Sequence, residues 1–216
     1  IYAAVVGDGL WRSTDEGKTW WQFPLYSLLG IANFADHIMF DGLNYGYLTA
    51  DGGMFRSRDG GNTWEPHRRG IPGAGGGHAA KGPGALVYAW QSTGAPVPDG
   101  GSVFVSRDRG TSWLEVLNKR EPGRLHVSLQ TGTILVRSGL TLDSLLRSTD
   151  EGTTWTAVRY PLDSAYLKPY ASDSAGIVYA IGSDWRSAGR LARSTDDGIT
   201  WEWLPLDFNR HIDDIL

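Results

Sequence analysis

Residues 148–155 read Ser148-Thr149-Asp150-Glu151-Gly152-Thr153-Thr154-Trp155, two adjacent carboxylates set among hydroxyls and ahead of a tryptophan. Taken alone, the stretch resembles the paired acids of general acid/base chemistry. The pattern recurs four more times, as STDEGKTW at 13–20, SRDGGNTW at 57–64, SRDRGTSW at 106–113 and STDDGITW at 194–201. Four positions are identical in all copies: Ser13, Asp15, Gly17 and Trp20; Ser57, Asp59, Gly61 and Trp64; Ser106, Asp108, Gly110 and Trp113; Ser148, Asp150, Gly152 and Trp155; Ser194, Asp196, Gly198 and Trp201. The residue after the aspartate is in turn Glu16, Gly60, Arg109, Glu151 and Asp197. Chemistry that needed two acids could not run with glycine or arginine in the second place. Glu16 and Glu151 therefore read as solvent-facing loop residues. The constant positions suit a hairpin clasp: Ser and Asp accept hydrogen bonds from turn amides, Gly supplies a positive φ, and Thr-Trp opens the next strand with a large side chain to bury.

From serine to serine the steps are 44, 49, 42 and 46 residues, the spacing of propeller blades rather than helical solenoids. Short apolar or alternating segments flank each copy, as Met54-Phe55-Arg56 and Trp64-Glu65-Pro66 do around the second. A further strand precedes each pair (IYAAVV, YGYLTA, LVYAW, TILVRS, IVYAIG), and weaker segments precede four of these (GIANFA from Gly30, GHAAKG from Gly77, RLHVSL from Arg124, PYASD from Pro169). Four strands per unit give an all-β, five-bladed β-propeller of four-stranded antiparallel blades in one domain. The blades fall at 1–26 plus 210–216, 27–70, 71–120, 121–162 and 163–209. The segment His211 to Leu216 is expected to supply the strand that the N-terminal blade lacks and so close the ring.

The five octapeptides resemble the Asp-box, or bacterial neuraminidase repeat, pattern Ser-x-Asp-x-Gly-x-Thr-Trp, with Ser112 where threonine is usual. That resemblance implies a β-propeller. The family includes sialidases, xyloglucan-active endoglucanases, sortilin-type receptors and a photosystem II assembly factor, so it does not fix an activity. It also implies that ligand residues lie on the face opposite the clasps.

The composition narrows the field further. The chain has 216 residues, a formal net charge of −4 and no cysteine. Its basic residues are scattered, so nucleic acid is not an expected partner, and disulfides and thiolate metal sites are excluded. No apolar run reaches the ~20 residues a membrane helix needs. The start at Ile1 rather than Met reads as a processed or trimmed product, and the expected location is extracytoplasmic or secreted.

A sialidase would show an Arg-Ile-Pro segment and converging arginines. Here Arg12, Arg56, Arg147 and Arg193 each precede a box serine, with Val105 breaking the series, so they track the clasp and not one site. A glycoside hydrolase would need two carboxylates across a cleft, and Asp36, Asp173, Asp213 and Asp214 are the candidates near the innermost strands. His37, His78, His126 and His211 fall near the innermost strands of four blades, but without metal-ligand spacing they read as channel lining, and neither metal nor cofactor is expected. Trp11, Trp90 and Trp203 read as packing within strands. Trp185 beside Arg186, in a polar loop, is the leading binding element, with Tyr26, Arg68, Arg69, Tyr166 and Tyr170 on the same expected rim. The reading is a non-catalytic binding or assembly module for a protein complex or a glycan, with a polysaccharide-active glycoside hydrolase as the alternative.

Overall fold

A computed structural model of the chain describes residues 1–5, 8–24, 35–50, 53–67, 69–71, 77–92, 100–120, 122–138, 144–159, 166–183 and 189–205. Among them there are nineteen strands and no helix. The chain divides into two compact units, Ile1–Lys81 with Ala85–Glu115, and Gly82–Gly84 with Val116–Leu216.

The first unit opens with a three-stranded sheet in the order β1 (Tyr2–Val5), β2 (Gly9–Arg12), β3 (Trp21–Phe23). Sheet 2 follows as β4 (Ala35–Phe40), β5 (Gly46–Ala50), β6 (Gly53–Ser57) and β7 (Glu65–Pro66). Sheet 3 is built from β8 (Gly77–Lys81), β9 (Val87–Ser92), β10 (Gly100–Ser106) and β11 (Leu114–Arg120), of which Leu114 and Glu115 belong to this unit. The second unit holds sheet 4, β12 (Pro122–Val127) to β13 (Ile134–Ser138), β14 (Ser144–Ser148) and β15 (Thr156–Arg159), and sheet 5, β16 (Tyr166–Ser172) to β17 (Val178–Ser183), β18 (Arg190–Ser194) and β19 (Glu202–Trp203). Each sheet is an antiparallel meander in chain order. The strand expected to be missing from the first repeat is absent from sheet 1 among the described residues.

The core lies between consecutive sheets, because strands with two apolar faces must bury both. Leu10 and Phe23 of sheet 1 meet Leu48, Phe55 and Trp64 of sheet 2. Tyr47 and Met54 of sheet 2 meet Ala79, Val87, Phe104 and Trp113 of sheet 3. In the second unit Leu145 packs with Leu167, Ala180 and Ala192, flanked by Trp201 and Trp203.

Of the segment expected from Gly30, residues 30–34 lie outside the described residues. β4 begins at Ala35 and runs to Phe40. Its register is set by the turn that follows, not by apolar content: Asp41 N–H donates to the Tyr45 carbonyl (3.0 Å), and Asp41 Oδ1 accepts from Leu43 N–H (2.7 Å) and Tyr45 N–H (3.2 Å). Gly42 and Asn44 take φ of 82° and 68° there, an Asx-type turn that closes the hairpin on β5. β8 falls where expected.

Candidate functional site

All five octapeptides fold into one hydrogen-bonded clasp. In the copy at 148–155, Ser148 Oγ donates to Asp150 Oδ1 (2.8 Å) and accepts from Gly152 N–H (2.9 Å). Asp150 Oδ1 also accepts from Thr154 N–H (2.9 Å), and Oδ2 accepts from Thr154 Oγ1 (2.7 Å). The sister clasps repeat the set, and Ser112 does what threonine does elsewhere, donating from Oγ to Asp108 Oδ2 at 2.7 Å. Every donor favours the ionised carboxylate. The hydrogen bonds from Thr154 and Ser148 hold Asp150 down at about 2, and those from Thr19 and Ser13 do the same for Asp15. At Asp108 burial pushes the carboxyl up, but the bonds from Ser112 and Ser106 outweigh it and the group again lies at about 2. A group held ionised this firmly is a poor proton donor near neutrality.

What the position after the aspartate has in common across the copies is a backbone conformation, not a charge. Glu16, Gly60, Arg109, Glu151 and Asp197 all take positive φ, between 53° and 70°, and the glycine after each does so too. Glu151 is also half-buried, which corrects the expectation of a solvent-facing side chain. Two left-handed residues in succession turn the strand back on itself and aim the carbonyl of the first away from its own sheet. Neighbouring sheets use that carbonyl. Tyr2 Oη donates to the Gly60 carbonyl (2.9 Å), Arg56 Nη1 to the Arg109 carbonyl (3.0 Å) and Arg147 Nε to the Asp197 carbonyl (2.9 Å). The arginines before the box serines thus strap one sheet to the next clasp within their unit. Arg193 differs, pairing with Glu202 Oε1 on its own sheet at 2.5 Å.

The clasp glycines also lie against the preceding sheet. A Cβ at Gly110 would come 2.8 Å from the Tyr47 ring, one at Gly152 2.7 Å from Val116 and one at Gly198 2.7 Å from Leu135. At these three copies the glycine is required by space as well as by φ.

The turns between first and second strands sit at the clasp end, as Gly60 N–H to the Asn44 carbonyl (2.9 Å) and Arg109 N–H to the Ala85 carbonyl (3.3 Å) show. Asp173 occupies such a turn. Its Oδ1 accepts from Ala175 N–H (2.9 Å) and Ile177 N–H (3.0 Å), while its N–H donates to the Ile177 carbonyl (3.0 Å). The candidate acid is therefore a turn residue equivalent to Asp41, and a sequence signal existed: each aspartate precedes the next strand by four or five residues. Asp36 is exposed on β4. Asp213 and Asp214 lie outside the described residues.

Of the expected rim, Tyr26, Arg68, Trp185 and Arg186 lie outside the described residues. Tyr166 and Tyr170 belong to β16. Arg69 is exposed, but its carbonyl accepts from the N–H of clasp residue Trp113 (3.1 Å), which ties it to the clasp of sheet 3 and not to an opposite rim. His37 and His78, on the first strands of sheets 2 and 3, stack with ring centroids 3.8 Å apart, and His37 Nδ1 accepts from Ala79 N–H at 3.4 Å. His126 is buried in β12, and His211 lies outside the described residues. No group of three or more His, Asp or Glu side chains that could hold a metal occurs among the described residues. Of the strand tryptophans, Trp11 donates to Asp8 Oδ2 (3.0 Å), and Trp203 lies under the Arg190 guanidinium at 4.3 Å.

Between sheets 2 and 3, at the clasp end, a cleft of about 430 Å³ is lined by Tyr45, Arg56, Arg58, Asp108, Arg109 and Thr111, with Ala85 at its edge. Arg56 is buried at 1% exposure, and its Nη2 pairs with Glu65 at 2.9 Å. The arginine rows of the sequence did not single out this cleft, because Arg58 and Arg109 belong to variable clasp positions.

Comparison with known proteins places the fold. The chain is 26% identical over 150 residues to the xyloglucanase Xgh74A of Acetivibrio thermocellus, a match covering 55% of this chain and 18% of that protein. It thus spans under a fifth of the length of that curated relative. An ancestral GH74 enzyme superposes with a TM-score of 0.75 at 18% identity, over 97% of this chain and 30% of the other. YCF48 bound to a D1 peptide superposes with a TM-score of 0.66 at 19% identity, over 94% and 64% respectively. No family model matches the chain. The all-β chain of antiparallel sheets therefore has a propeller-like fold. Among the described residues no helix is long and apolar enough to cross a membrane.

Proposed function

We propose that this chain is a non-catalytic propeller module that binds a glycan or a protein partner through the loops at the end of the sheets opposite the clasps. The observation that carries the reading is the commitment of the acids: the five clasp aspartates and Asp173 spend their carboxylates on turn amides and hydroxyls. The loops between second and third strands, QSTGAPVPDGG above all, vary in length from repeat to repeat while the clasps do not. Rigid sheets carrying variable loops are a common basis for recognition. In this reading the octapeptides are Asp boxes, each counts one blade, five in all, the C-terminal segment His211 to Leu216 completes the N-terminal blade, and the protein works outside the cytoplasm. Trp185 and Arg186 are the proposed first contacts, supported by Tyr26, Arg68, Tyr166 and Tyr170.

The likeness to a xyloglucanase supports a β-glucan-type polysaccharide as the glycan to try first, and it also supports a second reading, that the chain is part of a glycoside hydrolase with Asp36, Asp213 or Asp214 among its acids. One experiment separates the two. The purified chain is incubated with xyloglucan and a polysaccharide panel, with retention and reducing-end release measured together. Retention without product, weakened in Trp185→Ala, is expected; product that disappears in Asp36→Asn would establish the hydrolase, and neither retention nor product would direct the search to a protein partner.

A further inference from the structure

We infer that the cleft between sheets 2 and 3 at the clasp end is a binding site for the carboxylate of a sugar acid, separate from the loop face proposed above. Three guanidiniums, Arg56, Arg58 and Arg109, reach one cleft of about 430 Å³. Two carboxylates stand against them. Glu65 takes Arg56 Nη2 at 2.9 Å and Arg58 Nε at 3.1 Å. Asp108 lines the cleft, but both its oxygens are turned into the clasp, where Ser106 Oγ (2.8 Å), Ser112 N–H (2.8 Å) and Ser112 Oγ (2.7 Å) hold them. One positive charge is left uncompensated, and a monoanion balances it better than a dianion does.

Arg109 carries that charge. Its backbone is fixed by φ of 53° and by the bond from Arg56 Nη1 to its carbonyl (3.0 Å), and its guanidinium lies over the Tyr45 ring at 5.3 Å from the centroid. That contact orients the planar fork without using its donors. Arg109 Nε and Arg56 Nε are both buried and without a hydrogen-bond acceptor. Buried donors of this kind ordinarily find a partner. The half-buried Arg109 side chain lines the cleft, and the part of its guanidinium that faces it offers a carboxylate the paired N–H geometry it accepts. The cleft is larger than a carboxylate alone. Tyr45 and Ala85 give an apolar wall for ring C–H groups, while Thr111 Oγ1, which donates to the Asp108 carbonyl (2.8 Å) and accepts from Arg56 Nη1 (2.8 Å), keeps one lone pair for a ring O–H. A cleft of this size lies within the range of small-molecule sites.

The test uses the whole chain, 15N-labelled, following the Arg Nε–Hε resonances while sodium glucuronate, glucose, acetate or phosphate is added. Glucuronate is expected to shift the Arg109 and Arg56 signals, glucose to leave them unmoved, and acetate to act at least about tenfold more weakly. In Arg109→Gly the affinity for glucuronate is expected to fall by at least about tenfold, with the backbone spectrum preserved, since Gly60 holds the same turn position in sheet 2. Arg58→Gln, at an exposed side chain, is expected to weaken binding without touching the fold. Absence of any shift, equal response to glucose, or undiminished binding in Arg109→Gly would overturn the site. Acetate matching glucuronate would overturn the sugar ring as the ligand, and phosphate binding more tightly would overturn the monoanion. None of these results bears on binding at the loop face.

Discussion

The clasps of sheets 1 and 2 share their constant residues and the hydrogen bonds those residues make, yet their tryptophans fare differently. Trp20 is 41% exposed and Trp64 only 8%. In both, the indole N–H donates to the carbonyl of the clasp glycine, at 3.0 Å and 3.1 Å. The difference comes from the neighbouring sheet. Tyr2 of sheet 1 donates to the Gly60 carbonyl and stacks on Phe40, whose ring meets Trp64 edge-on at 6.2 Å. Trp20 has no such cover among the described residues. The octapeptide therefore builds the turn by itself, whereas burial of its tryptophan requires a preceding sheet. This corrects the expectation that all five clasp tryptophans are buried.

The largest effect should come from removing the covered indole. Trp64→Ala is expected to destabilise by about 3–5 kcal/mol and Trp20→Ala by well under half of that, because only the first opens a cavity. Equal shifts in urea midpoint would break the comparison. The glycines sharpen it. Gly198→Ala, which sets a Cβ 2.7 Å from Leu135, is expected to cost about 1–3 kcal/mol, while Gly17→Ala has 3.8 Å of room and carries only the strain of its positive φ, about 1 kcal/mol. Thermal denaturation of the two variants decides whether contact with a neighbour adds to backbone strain.

A smaller effect separates backbone from charge at the second acidic position. Glu151→Val should be about 1 kcal/mol less stable than Glu151→Gly, since a β-branched residue resists φ of 58° and glycine does not. Loss of the carboxylate itself is common to both variants, so equal stabilities would return the weight to charge. The smallest effect belongs to pH. Asp150 titrates at about 2 in the folded chain, below its ordinary value of 3.8, because Thr154 and Ser148 hydrogen-bond the ionised form. The stability this contributes is present above about pH 4 and is lost as pH falls toward 2. Asp150→Asn is expected to flatten that part of the stability profile, and an unchanged acid slope would show that the carboxylate is not held as the clasp requires.

Much of the sheet framework was readable because the clasp is local. Serine and aspartate act on amides two to four residues away, so five copies mark five hairpins whatever surrounds them. The strands next to the clasps followed, as Gly53–Ser57 and Glu65–Pro66 do around the second copy. Asp173 was legible only as an aspartate near a strand end: its Oδ1 holds the amides of Ala175 and Ile177, and a single letter does not distinguish a turn carboxylate from any other. A connection such as the one that carries Arg69 has no local signal for its neighbours, and only the fold shows the Arg69 carbonyl accepting from the Trp113 amide of the clasp of sheet 3.

The amino-acid sequence alone determined the repeat, the clasp chemistry and the antiparallel hairpins, since those depend on interactions between residues close along the chain. Tertiary structure alone decided which tryptophans are covered, which carbonyl each arginine straps, and that Arg56, Arg58 and Arg109 meet at one cleft. Arg56 and Arg109 stand fifty-three positions apart in the chain, and only the packing of one sheet against the next brings a side chain and a carbonyl at that separation to 3.0 Å.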